Sequence, residues 1–179
     1  MFGFLFMVGC GSAPVLESKS SIVPVGVDLT GYWLVRSDPK AGRMTNSDGA
    51  GEWLIPSNRS RNSRRQRNTS EGSAQVFLEY GEKLKITQTR YGLFISYDRS
   101  IVEEYTFGEN RLVSIGPIEA LRVSGWEGNT FVVETLDDSG ATLFETWHLD
   151  GNDTELIRNI RISKGESDSF VRQQIFDRQ

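Results

Sequence analysis

The chain has 179 residues, a length that suits one domain with a tail. Apolar residues make up 37% and charged residues 25%, as in soluble globular proteins, and a net charge of −4 gives no global electrostatic case for nucleic acid. One Cys and one His exclude a disulfide within the chain and argue against a Cys/His zinc site, while 18 Gly, 5 Pro and 11% aromatics point to an all-β protein with many tight turns.

Residues 2–9 are Phe-Gly-Phe-Leu-Phe-Met-Val-Gly, without a charge, and Cys10 follows. Met7-Val8-Gly9-Cys10 resembles the lipobox of bacterial lipoproteins, in which the chain is cut before a cysteine that is then lipidated. No basic residue precedes Cys10, so residues 1–9 read as the remnant of a longer signal peptide. So short an apolar run cannot span a bilayer, which takes about 20 residues. The resemblance makes Cys10 the lipidation site and an acyl anchor the membrane partner. Gly11 rather than Asp after the cysteine implies the outer membrane, with the domain facing the periplasm. Residues 10–27 carry Ser, Pro, Gly and few large side chains, and read as a lipidated tether.

The domain is expected over 28–179. A first strand falls at 31–36, around Gly31-Tyr32-Trp33. Residues 56–72 hold no large apolar side chain and read as a disordered, Arg-rich insertion. Val76, Phe77 and Tyr80 suit a short helix within 73–80. Strands follow near 84–89, 92–98, 101–107, 119–126, 130–136, 142–149, 155–162 and 169–176, with a short extra one near 112–115. Gly-, Asn- and Asp-rich turns separate them, and there is no room for helical crossovers. The expectation is an antiparallel meander of eight to ten strands closing into a barrel.

Two hairpins specify register. A tight turn centred in Asp150-Gly151-Asn152-Asp153 places Leu149 opposite Thr154, Trp147 opposite Leu156, Glu145 opposite Arg158 and Leu143 opposite Ile160. Glu145 and Arg158 then share the inward, apolar face. A three-residue turn, Glu127-Gly128-Asn129, places Leu121, Val123 and Gly125 inward against Thr135, Val133 and Phe131.

Gly31-Tyr32-Trp33 on a first strand is similar to the lipocalin signature. The wider layout is more specific. Leu29-Thr30-Gly31-Tyr32-Trp33 leads to a polar Arg-bearing loop and Leu84-Lys85-Ile86-Thr87-Gln88. Trp126-Glu127-Gly128-Asn129, Glu145-Thr146-Trp147-His148 and a closing Val171-Arg172-Gln173-Gln174-Ile175-Phe176 complete it. This layout resembles a family of lipocalin-like (calycin-type) bacterial envelope lipoproteins with no established reaction. It implies a barrel and no catalytic residues.

The candidate chemistry is sparse. Arg59, Arg61, Arg64, Arg65 and Arg67 form either a solvated loop or a contact for anionic groups, to which the planar guanidinium fork is suited. Without an aromatic, that loop lacks the stacking surface of a nucleic-acid binder. Glu145 and Arg158 read either as a buried structural pair or as part of a ligand pocket with Trp33, Leu121 and Trp147. His148 falls on the outward face. No nucleophile elbow or phosphate-binding glycine loop occurs, and the turn aspartates read as turn formers rather than metal ligands. The expectation is therefore a non-enzymatic barrel without cofactor or metal, binding a small apolar or amphipathic ligand. The alternative is a filled barrel that docks a periplasmic partner through its loops. The bulk of the inward list favours that alternative.

Overall fold

A computed structural model describes residues 15–36, 73–165 and 167–179. Among the described residues ten strands form one sheet: β1 (Gly31–Val35), β2 (Lys83–Gln88), β3 (Gly92–Tyr97), β4 (Ile101–Thr106), β5 (Glu109–Ile115), β6 (Ile118–Glu127), β7 (Thr130–Asp137), β8 (Ala141–Asp150), β9 (Glu155–Lys164) and β10 (Ser167–Arg178). Every pairing is antiparallel, and the order is β4-β3-β2-β1-β10-β9-β8-β7-β6-β5. The expected meander is therefore correct, at ten strands. β1 pairs with both β2 and β10 within this sheet, β4 and β5 are its two unpaired edges, and bonds between β4 and β6 draw those edges together into a nearly closed barrel. The extra strand expected near 112–115 is the full-length β5. The helix expected within 73–80 is a 3₁₀ turn, Ser73–Phe77.

Both hairpin registers differ from expectation. Asp150 pairs with Glu155, so the β8–β9 loop holds four residues, Gly151 to Thr154. Gly151, Asn152 and Asp153 all lie in the left-handed region (φ 61°, 58° and 65°), a path longer than a tight two-residue turn. Leu149 therefore faces Leu156, Trp147 faces Arg158, Glu145 faces Ile160 and Leu143 faces Ile162. A slip of two keeps every side chain on its expected face. Glu145 and Arg158 are both inward, but diagonal rather than opposite.

The β6–β7 correction has the larger consequence. Glu127 pairs with Thr130, so the turn is the two-residue Gly128-Asn129. Gly128 takes the left-handed first position (φ 57°) and Asn129 does not, the pattern of a type II′ hairpin. A slip of one reverses β6. Trp126, Ser124, Arg122 and Ala120 now point inward against Phe131, Val133, Thr135 and Asp137. Leu121 and Val123 point outward, so Leu121 is not an interior ligand-site residue.

The interior is packed in two tiers. One holds Trp33, Leu84, Ile86, Leu93, Ile95, Tyr97, Tyr105, Trp126, Phe131, Trp147, Leu156 and Phe176. The other sets Ala74, Phe77 and Leu78, from the 3₁₀ turn and just beyond it, against Ala120, Ala141, Leu143, Ile160 and Ile162. Burying each large apolar side chain is worth about 1.5–3 kcal/mol, which is what holds so irregular a connection as 73–78 onto the barrel mouth. The Asp137 carboxylate adds to this by accepting the Ala74 amide at 2.8 Å.

Residues 15–27, expected as a tether, lie against the barrel. Ser20 and Trp126 exchange backbone hydrogen bonds of 3.2 and 2.9 Å. Lys19 reaches Glu127 at 2.6 Å and Glu134 at 3.4 Å. The Gln88 side chain ties down Val27 and Leu29. Gly125 allows this approach: a Cβ there would stand 2.5 Å from the Ser20 carbonyl oxygen. Cys10 and the five loop arginines lie outside the described residues.

Candidate ligand site

Alternation on neighbouring strands brings polar side chains to one level of the interior, between the two apolar tiers. On β9 the Arg158 guanidinium, 1% exposed, donates through all three of its nitrogens. Its Nε donates to Glu145 Oε2 at 2.9 Å, and Nη2 donates to the same oxygen. Nη1 donates to the Glu79 carbonyl at 2.9 Å and to Gln174 Oε1 at 3.1 Å. Burial alone would pull this guanidinium down. The Glu145 carboxylate outweighs that and holds it above its ordinary range. Taking both ions from water costs several kcal/mol each, and this near-complete bonding is what makes the pair tolerable.

A second arginine was not expected here. Arg122, on the reversed β6, donates from Nε to Thr135 Oγ1 and from Nη1 to Glu103 Oε2, both at 3.1 Å. Its guanidinium carbon lies 5.7 Å from the centre of the Phe77 ring and 5.6 Å from that of Tyr105. Glu79 completes the cluster. Desolvation first, then the Glu103 charge, raises its carboxyl above the usual range, against the pull of Arg158. Burial likewise pushes the Tyr97 and Tyr105 phenols upward.

Four buried polar atoms remain without hydrogen-bond geometry to any described partner: Trp126 Nε1, Trp147 Nε1, Tyr97 Oη and Glu109 Oε1, the last of them ion-paired with Arg111 at 2.9 Å. Tyr105 lies close enough to Tyr97 to bias its titration. An indole N–H can only donate, so each of the two tryptophans calls for an acceptor that the described residues do not supply.

The unpaired strand neighbours give access. At the Thr106 end the seam is closed: Ser124 Oγ donates to the Thr106 carbonyl at 2.9 Å, and the Gly108 amide to that of Ser124 at 2.7 Å. Further along, side chains cross it, Arg111 Nη2 to the Glu104 carbonyl at 3.0 Å and Arg122 to Glu103. There a lateral slot of about 340 Å³ opens, lined by Phe77, Glu103, Arg111, Val113, Ile115 and Arg122 among others. Its lining carries two guanidiniums, each ion-paired with a glutamate (Arg111 with Glu109, Arg122 with Glu103), and its sides are partly apolar.

Of the expected site residues, the fold brings together Glu145, Trp147 and Arg158. Trp33 shares their interior but sits nearer Leu29, whose carbonyl accepts its indole N–H at 3.1 Å. Leu121 is outside. Arg122, Glu103, Glu79 and Tyr97 were missed. Reading Gly128-Asn129 as a two-residue turn would have found the first, since parity alone turns Arg122 inward. Among the described residues no three His, Cys, Asp or Glu side chains converge as metal ligands.

Fold and site together define a nearly closed antiparallel β-barrel with a charged, hydrogen-bonded interior reached through a lateral slot. No family model matches the chain, and no curated protein does. Among solved structures it is similar to a secretory abundant heat soluble protein of Ramazzottius varieornatus, at 12% identity and a TM-score of 0.42, covering 54% of this chain and 70% of that one. A second such protein of the same organism, number 4, shares 11% identity at 0.41, with 54% and 68% covered. A point mutant of the fluorescent protein UnaG shares 14% at 0.39, with 54% and 70% covered.

Proposed function

We propose that the chain is a non-enzymatic bacterial envelope lipoprotein whose lipocalin-like barrel binds a small amphipathic molecule. The observation that carries this reading is the slot: about 340 Å³ between unpaired strands, opening onto a buried guanidinium. That volume is within the range of small-ligand sites. A hydrogen-bond-accepting head reaches Arg122, and the apolar body lies along Phe77, Val113 and Ile115. The acyl chain on Cys10 holds the domain at the outer membrane, facing the periplasm. Native mass spectrometry of protein taken from its own membrane tests both parts. The reading expects the mass of an acylated Cys10 and a retained small molecule that an Arg122→Gln variant loses.

The filled-barrel reading has its own support. Trp33, Trp147, Phe131 and Phe176 are among the largest fully buried side chains, and they occupy the centre. On that reading no ligand is retained, and the loops engage a periplasmic partner. An acylated but empty protein in the same experiment would favour it.

A further inference from the structure

The outer face of β1–β3 carries a groove that neither reading uses. It encloses about 650 Å³ and is lined by Tyr32, Leu34, Lys83, Lys85, Ser96 and Arg99 among others. Strand register builds it. Tyr32 stands opposite Lys85 and Leu34 opposite Lys83 across β1–β2, and Lys85 stands opposite Ser96 across β2–β3. Tyr32 is 55% exposed and Leu34 38%, so the floor is an uncovered aromatic and aliphatic surface. Lys85 Nζ lies 5.6 Å from the centre of the Tyr32 ring.

The charge at this groove runs against that of the molecule. The chain carries −4 overall, yet Lys83, Lys85 and Arg99 make no ion pair among the described residues. Of the two acids that flank these cations in sequence, Glu82 makes no ion pair among the described residues, and Asp98 is committed elsewhere: its Oδ1 accepts the amides of Lys83 at 2.8 Å and Glu82 at 3.1 Å. Those bonds also pin the β3–β4 turn, where Asp98 and Arg99 both hold left-handed backbone (φ 49° and 61°). Neither is glycine, so the turn holds a strained conformation that sets Arg99 at the groove wall. An apolar floor ringed by a few convergent charges is the make-up of a small-molecule site.

We infer that this outer groove binds a small anionic amphiphile, its apolar body over Tyr32 and Leu34 and its carboxylate, sulfonate or phosphate head among Lys83, Lys85 and Arg99. The site is separate from the slot at β4–β5, so each can fail without the other. The test titrates the full chain with 8-anilinonaphthalene-1-sulfonate, by dye fluorescence and by amide NMR shifts. The neutral N-phenyl-1-naphthylamine serves as the comparison, and vesicles of anionic lipid as a separate arm. Binding of the sulfonate should shift Tyr32, Leu34 and Ser96. A Lys85→Gln/Arg99→Gln double variant should weaken it at least tenfold and change the neutral dye little, and added salt should weaken it too. Unchanged sulfonate affinity in the double variant overturns the inference. So do shifts confined to Phe77, Arg111 and Arg122, which would place the dye in the slot. Lysine-dependent vesicle binding without binding of the free dye overturns it as well, because the face would then be a membrane contact.

Discussion

Trp147 on β8 stands directly opposite Arg158 on β9, and the guanidinium carbon lies 4.5 Å from the centre of the indole ring. The same guanidinium reaches diagonally to Glu145. The cation is thus held by a π face on one side and a carboxylate on the other, at a depth where neither is hydrated.

Removing either charge of this pair strands the other in the interior. Arg158→Met or Glu145→Gln should each cost roughly 3–5 kcal/mol in urea unfolding. A well-packed double replacement should cost much less, since no uncompensated ion remains. Equal losses in single and double variants would mean that packing, not charge, dominates there.

Gly125→Ala places a Cβ 2.5 Å from the Ser20 carbonyl oxygen and 2.8 Å from Lys19 Cβ. Backbone must then give way. The expected outcome is loss of the Ser20–Trp126 bonds, with a stability cost of about 1–3 kcal/mol. Hydrogen exchange at Ser20 and Trp126 should quicken, and proteolysis within 15–22 should become faster, while strands β7–β10 keep their protection.

The buried phenols give an alkaline limit. Tyr97 and Tyr105 have folded pKa values raised above 10 by desolvation, so the unfolded chain ionises first. Their contribution is fully present below pH 10 and is lost as pH rises from there. Tyr97→Phe should leave stability at pH 7 nearly unchanged, because its hydroxyl makes no well-formed hydrogen bond, and should lessen the fall above pH 10. Thermal melts from pH 7 to 11 check both parts.

Glu79 behaves in the same sense at acid pH. Desolvation raises its folded pKa above 4.5, so the charged form is the disfavoured one. Its contribution is most favourable below the unfolded value and is lost as pH rises through the folded one. Glu79→Gln should therefore raise the melting temperature at pH 7, with the gain shrinking toward pH 4. A variant less stable than wild type at pH 7 would show that the carboxylate serves Arg158 more than burial harms it.

Cys10→Ser should release the protein from membranes and remove its hydrophobic added mass. A wild-type chain carrying a free Cys10 thiol after export would contradict the lipoprotein reading.

The strand positions were legible because turn chemistry and a period of two are local properties. Gly-, Asn- and Asp-bearing turns bracket nearly every strand from β2 onward, and alternation set the inward parity of β7, β8 and β9 without a partner in view. That is why Glu145, Trp147 and Arg158 could be expected on one face, and why a register error of two on β8–β9 left them there. Parity fails where it hangs on one residue of turn length. A single position at Gly128-Asn129 exchanged Arg122 for Leu121, and with it the slot's cation for an outward leucine. Tertiary structure alone decided the rest. β1 closes on β10 through residues such as Trp33 and Arg178, 145 positions apart in the chain. The packing of 15–27 and the open β4–β5 seam depend on how far the whole sheet curls. Local pattern says which way a side chain points, but only closure of the barrel says which side chains then meet.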